Sequence, residues 1–188
     1  MYEYTTHLEK WLTFQRSSLE LVAQLPPPKF ESLQFHTKDI NVENYNSWIE
    51  ILREKGINNQ MPVLYYFNIE STFDCSKIHS QINEMKRKCE GSSLIMLPKI
   101  NSTQSESSSV LYVGKTNSNF LHRFKTHIGI TPNKIYALQL AQWATNFDLK
   151  LNLYFAPYTL PKEQHNLLEQ VEHVLHFNLK PILGRAGH

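Results

Sequence analysis

The stretch that most limits how this chain can fold runs from Val110 to His127 and reads V-L-Y-V-G-K-T-N-S-N-F-L-H-R-F-K-T-H. Val110, Leu111, Tyr112 and Val113 form an apolar run of residue types that fit a pleated, half-buried surface. Gly114 and Lys115 end the run, and Thr116-Asn117-Ser118-Asn119 makes a polar turn. Phe120, Leu121 and Phe124 then fall on one side of a short helical pattern, with His122, Arg123 and Lys125 elsewhere. The stretch therefore predicts a strand, a tight turn and a basic helix. Gly114 suits an unusual backbone angle or close approach by another group. A phenol, an ammonium and a guanidinium gathered in one such unit can grip and activate a phosphate.

Charge supports that reading by where it lies. The net charge of the 188 residues is only +2, but from Ser107 to Phe147 there is no Asp or Glu. That span carries Lys115, Arg123, Lys125 and Lys134, plus His122 and His127. A basic stripe in a near-neutral chain points to an anionic ligand, with nucleic acid first; the alternative is a solvated face balanced in space by distant acids. The two cysteines, Cys75 and Cys89, form no Cys-x-x-Cys pair, which argues against a zinc knuckle or a disulfide framework. Cys89 falls in helical phase with Ile78, Ile82 and Met85 and reads as core. No secretory leader and no apolar run of about 18 residues is seen, so a cytoplasmic location is expected.

In chain order, Leu8, Trp11, Leu12, Leu19 and Val22 predict a helix over Tyr4 to Leu25, with a Thr6/Glu9 capping box and a stop at Pro26-Pro27-Pro28. Phe30 to Ile40 reads as a polar connection. Val42, Tyr45, Trp48, Ile49 and Leu52 mark a second helix ending near Gly56. Residues 1–60 are thus expected to be a helical N-terminal extension. Val63 to Phe67 predicts a strand, and Asp74 or Ser76 can cap a helix running to about Cys89, with Gly91 as its stop. The basic end of that helix, Lys86-Arg87-Lys88, suits the negative end of a helix dipole and is read so in preference to a phosphate contact. Leu94 to Leu97 is a candidate strand and Asn101 to Ser109 a Ser-rich loop. After a loop at Gly129 to Asn133, Ile135, Leu138, Leu140, Ala141 and Ala144 suggest a helix. Leu149 to Phe155 alternates like a half-buried strand. From Pro161 to about Asn178 a last helix follows, with Leu167, Leu168, Val171, Val174 and Leu175 toward the core and His165, Glu169, Glu172 and His176 on a polar stripe. The fold class expected is α/β of the α+β type: a small, mostly antiparallel central sheet flanked by helices.

Several of these pieces fall in the order of a known family. Tyr112-Val113-Gly114-Lys115 resembles the second signature of the GIY-YIG nucleases, and Val63-Leu64-Tyr65 resembles the first. Arg123 is similar to that family's catalytic arginine, His127 to a position often held by histidine, and Glu172 to its metal-binding glutamate, with Pro181 nine residues on. The likeness covers roughly Pro62 to Ala186 and implies a nuclease domain over 61–188. It departs at Val63, where the family has glycine, at the separation of Tyr65 from Tyr112, and at Gly184-Arg185, where the family has asparagine. Arg123 also lies one residue later than usual. Phe73 to Ser109 reads as an insertion between two strands, which costs little closure entropy.

The resemblance implies a metal-dependent DNA endonuclease that hydrolyses phosphodiesters, with restriction as the favoured job. Glu172 would hold one divalent cation, Mg²⁺ or Mn²⁺. Arg123 would fork onto the phosphate, Lys115 would contact it or lower a tyrosine's pKa, and Tyr65 or Tyr112 would take a proton from water or orient it. His127 would support them, and Lys125, Lys134 and Arg185 would contact double-stranded DNA. A homodimer would serve two strands. Each residue alone has a plain reading, as a strand aromatic or a solvated helix face; their joint order carries the inference. A zinc hydrolase built on Glu169/His173 or Glu172/His176 lacks enough ligands. A DNA-binding or adaptor protein without turnover is the alternative.

Overall fold

The computed structural model describes residues 2–70, 73–88, 95–101, 108–130 and 134–185. In chain order its elements are α1 (Tyr2–Ala23), β1 (Glu31–His36), α2 (Val42–Glu54), β2 (Val63–Ile69), α3 (Cys75–Lys88), β3 (Val110–Thr116), α4 (Phe120–Ile128), α5 (Leu140–Trp143), β4 (Lys150–Pro157) and α6 (Leu167–Leu179). Among the described residues the strands form one antiparallel sheet in the order β1-β4-β2-β3, flanked by helices, the α+β class expected.

β2 lies inside the sheet, paired on one side with β3 and on the other with β4. That position explains its composition, because a central strand has both faces covered and can be apolar throughout. Val63, Tyr65, Phe67 and Ile69 enter the main core, which α2, α3 and α4 cover with Trp48, Leu52, Ile78, Ile82, Phe120 and Phe124. Leu64 enters a smaller core with Ala156, Tyr158 and Leu168, against which Val171 and Leu175 pack. α3, at the start of the 73–109 segment, belongs to the main core through Cys75, Ile78 and Ile82.

Side-chain caps start two of the helices. The Asn41 side chain accepts the Asn44 N–H at 2.8 Å and caps α2. Asp74 accepts the Ser76 N–H at 2.9 Å and starts α3. Three readings need correction. Phe30 to Ile40 is not a connection: Glu31–His36 is an edge strand whose Leu33 and Phe35 are buried, so the span 1–60 contributes to the sheet. Two apolar residues among polar ones are too few to announce a strand; the partner β4 selects it. Thr6 lies inside α1, so the capping box is not the start of that helix, and Leu8, Trp11, Leu12 and Leu19 are exposed. The helix expected around Ile135 to Ala144 is reduced to the single turn α5. Gln139 is left-handed there (φ 49°), and Ile135 and Tyr136 are exposed.

Residues 95–97 are not strand, although Ile100 makes one bridge to Leu183. Leu94, Cys89, Gly91 and residues 102–107 of the Ser-rich loop lie outside the described residues. No helix among the described residues is long and apolar enough to cross a membrane.

Candidate active site

The sheet register places Tyr65 opposite Gly114 and Phe67 opposite Tyr112. Because strand side chains alternate, Tyr65, Tyr112 and Gly114 share the face that looks into the main core. Gly114 is required by close approach. A Cβ there would lie 2.7 Å from the Tyr65 hydroxyl and 2.8 Å from the Tyr112 ring. It does not end the strand, which continues to Thr116. The missing side chain lets two tyrosine rings lie 6.3 Å apart and nearly parallel, at 22°.

α4 supplies the other partners from the same short stretch. The turn at Asn119, left-handed at φ 55°, swings the chain into the helix. Arg123, on its first turn, then reaches both phenols: Nε donates to the Tyr65 oxygen and a terminal guanidinium nitrogen to the Tyr112 oxygen, each at 3.2 Å. One turn later His127 is completely buried between Tyr65, Phe67 and Tyr112.

The protonation of His127 follows from its partners. The Leu138 backbone N–H donates to Nδ1 at 3.1 Å. Burial, and then the charge of Arg123, hold the imidazole pKa well below 6.5. The ring is therefore neutral with its proton on Nε2, and that nitrogen donates to the Tyr65 hydroxyl at 2.9 Å. Two donors, one charged, converge on a single phenol oxygen. The Tyr65 proton must point along a third direction.

Burial is the largest influence on Tyr65 and pushes its pKa up. The neighbouring Tyr112 adds to that, Arg123 pulls it down through charge and hydrogen bond, and Glu172 pushes it up again. Tyr112 is likewise raised by burial, against Arg123 and with Glu172. Both are neutral phenols near neutral pH. Glu172 is 1% exposed on α6 and lies close enough for its charge to act on both tyrosines. It does not sit on an exposed polar stripe as its neighbours suggested: Val174, expected to face the core, is 57% exposed.

The cluster that the fold assembles is thus Tyr65, Tyr112, Arg123 and His127, with Glu172 beside it. Lys115 makes its contacts elsewhere. It shares a register position with Leu64, on the other face of the sheet, and is tied to Glu169 at 3.6 Å and to the Asn117 side chain at 3.3 Å. Lys125 and Lys134 are exposed. Arg185 does reach the site: with Tyr112 and Arg123 it lines a cavity of about 620 Å³, together with Lys86, Leu97, Pro98, Lys99, Tyr136 and Gly184. Lys86, Lys99 and Tyr136 are not among the residues to which the sequence resemblance points. The basic end of α3 was visible, but a helix dipole accounts for it equally well.

The donor set fits a metal only in a limited sense. Among the described residues no group of three or more His, Cys, Asp or Glu side chains could hold an ion. Glu172 lies near the two phenols but is 1% exposed and does not line the cavity, so a hydrated hard cation would reach its carboxylate only if that side chain were uncovered. The chain matches no family model, no curated protein and no solved structure.

Proposed function

We propose that this protein is a divergent GIY-YIG-like, metal-dependent endonuclease that hydrolyses phosphodiester bonds in double-stranded DNA in the cytoplasm, with restriction as the favoured role. The observation that carries the reading is the Arg123 fork across Tyr65 and Tyr112. It joins the two separated signature tyrosines and the helix arginine in one buried cluster that opens to a basic cavity.

In this reading Arg123 neutralises charge that builds on the non-bridging oxygens, a role that positioned, partly desolvated donors perform well. His127 acts through Tyr65. As a neutral donor it fixes the phenol oxygen and leaves the phenol proton to point away from both donors. Tyr65 then orients water, or accepts its proton if the phenol is ionised beforehand. Arg123 and His127 both favour that ionisation, and burial opposes it. Tyr112 fixes the other end of the guanidinium. Glu172 would hold a Mg²⁺ or Mn²⁺ ion, which when bound supplies Lewis-acid stabilisation of the phosphate. Lys115 stays at the margin, with Glu169. A homodimer would bring two such sites to two strands.

Cleavage of supercoiled plasmid with Mg²⁺ tests this. Arg123→Ala and Glu172→Gln are each expected to slow cleavage by about 10²-fold or more, the scale of losing one positioned charge stabiliser. Cleavage that survives both substitutions refutes the assigned site. The second reading, a DNA-binding protein without turnover, draws on the burial that keeps Tyr65 a neutral phenol. DNA binding with no cleavage in Mg²⁺ or Mn²⁺ would establish it instead.

A further inference from the structure

Besides Tyr112, Arg123 and Tyr136, three further parts of the chain line the cavity. α3 contributes Lys86, the 97–99 segment contributes Leu97, Pro98 and Lys99, and the tail contributes Gly184 and Arg185. The last two parts are fastened to each other and to β3. The Gly184 N–H donates to the Lys99 carbonyl at 2.8 Å, and the Asn101 N–H to that of Ile182 at 3.0 Å. The Ile182 and Leu183 N–H groups donate to Val110 and Leu111 at 2.8 and 2.9 Å. Gly184 (φ 99°) lets the tail cross the Tyr112 ring, since a Cβ there would lie 2.7 Å from it. Lys99 and Arg185 are therefore held side by side at the rim rather than hanging from loose ends.

Every charged side chain among the described residues that line this cavity is a cation. They are Lys86, Lys99, Arg123 and Arg185, and none of the described lining residues is acidic. Lys38, Arg53, Lys55, Lys88, Lys115 and Lys150 each pair with a carboxylate, whereas no carboxylate among the described residues forms a salt bridge with any of the four cavity cations. The contrast is sharpest on α3. Lys88 turns to Glu84 at 2.6 Å, while Lys86, two residues earlier, is half-buried against the cavity with its ammonium disfavoured by burial. Four cations around one opening make it a favourable place for an external anion. The cavity is larger than one phosphate needs.

We infer that Lys86 and Lys99, with Arg185, form a DNA-binding wall: they hold backbone phosphates of the strand adjoining the phosphate that Arg123 grips. The inference rests on the nuclease reading for its ligand and assigns the insertion a task that the reaction itself does not require. Lys86 and Lys99 position the strand without touching the reacting atoms. Their loss should weaken DNA binding and increase KM while changing the turnover of bound substrate little.

The test is binding of a fluorescent duplex in EDTA, over a series of salt concentrations, for the full chain and for Lys86→Ala, Lys99→Ala and the double variant. Neutralising one phosphate contributes about 0.9 to the slope of log affinity against log salt. Each single variant should lower the slope by about that amount, and the double variant by about twice as much. Lys88→Ala should leave it unchanged, because that lysine is committed to Glu84. Lys99 is exposed, so Lys99→Ala can be read even if the α3 substitution disturbs folding. Plasmid cleavage by the unsubstituted protein is measured in parallel. If that protein cleaves and binds while the Lys variants keep its slope, the wall is refuted and the nuclease stands. If it binds with the expected slopes but never cleaves, the nuclease is refuted and the wall stands. Failure to bind DNA at all refutes both.

Discussion

Mild acidification should destabilise this protein, with His127 a main contributor. His127 is fully buried, and burial together with Arg123 holds its pKa well below 6.5 in the folded state. The unfolded chain restores an ordinary imidazole near 6.5. Between the two values the unfolded state binds the extra proton, so stability is complete above about pH 7 and falls as the pH drops through 6.5. For a group that stays neutral in the native state, lowering the pH from about 7.5 to about 5.5 removes about 1.4 kcal/mol. In a domain of this size that corresponds to a fall in Tm of about 3–6 °C. The structure also says how to isolate the effect. His79 and His176 are lowered by burial too, and so contribute in the same direction. His127→Gln keeps a donor for Tyr65 and removes only the titration at this position. Urea denaturation of both proteins across that pH range should show the substituted protein losing about 1.4 kcal/mol less than the original. Equal losses would mean that His127 is protonated in the native state. The assignment of its Nε2 proton as the donor to Tyr65 would then be wrong.

Tyr65→Phe removes the oxygen that accepts from both His127 and Arg123, leaving a buried imidazole N–H unsatisfied. A loss of about 1–3 kcal/mol in chemical denaturation is expected, together with loss of plasmid cleavage, and unchanged stability would contradict the hydrogen-bond network. Gly114→Ala forces a methyl group against the Tyr65 hydroxyl and the Tyr112 ring, and should cost about 1–3 kcal/mol by the same measurement. Arg123→Lys keeps the charge but cannot bridge two phenols. Cleavage should drop about 10²-fold with near-normal DNA affinity, and normal cleavage rates would show that the fork is dispensable. Asn41→Ala removes the α2 cap and should lower stability by about 1 kcal/mol without affecting cleavage.

The sequence by itself determined the strand, turn and helix of Val110 to His127, the β2 run and the alternating β4, because each announces its period and its ends within a few residues. It also put Tyr65, Tyr112, Arg123, His127 and Glu172 forward together, by their order along the chain. It could not say how a strand's residues face. Lys115 adjoins Gly114 in sequence, yet the alternation of β3 sends it to the other side of the sheet and to Glu169. Edge strand β1 was hidden because its apolar residues are only Leu33 and Phe35, and pairing with β4 supplies the rest. The ring state of His127 depends on a backbone N–H eleven residues away at Leu138, in a segment whose apolar spacing suggested a helix. Lys86 and Lys99 are ordinary lysines in the sequence. They become part of one basic opening only when the tail is laid along β3 and carries Arg185 beside them. Sequence periodicity reports local conformation, whereas burial, charge compensation and the partners of a titrating group depend on residues far apart in the chain. Those are the properties that bring Tyr65, Tyr112, Arg123 and His127 into one cluster with Glu172 nearby.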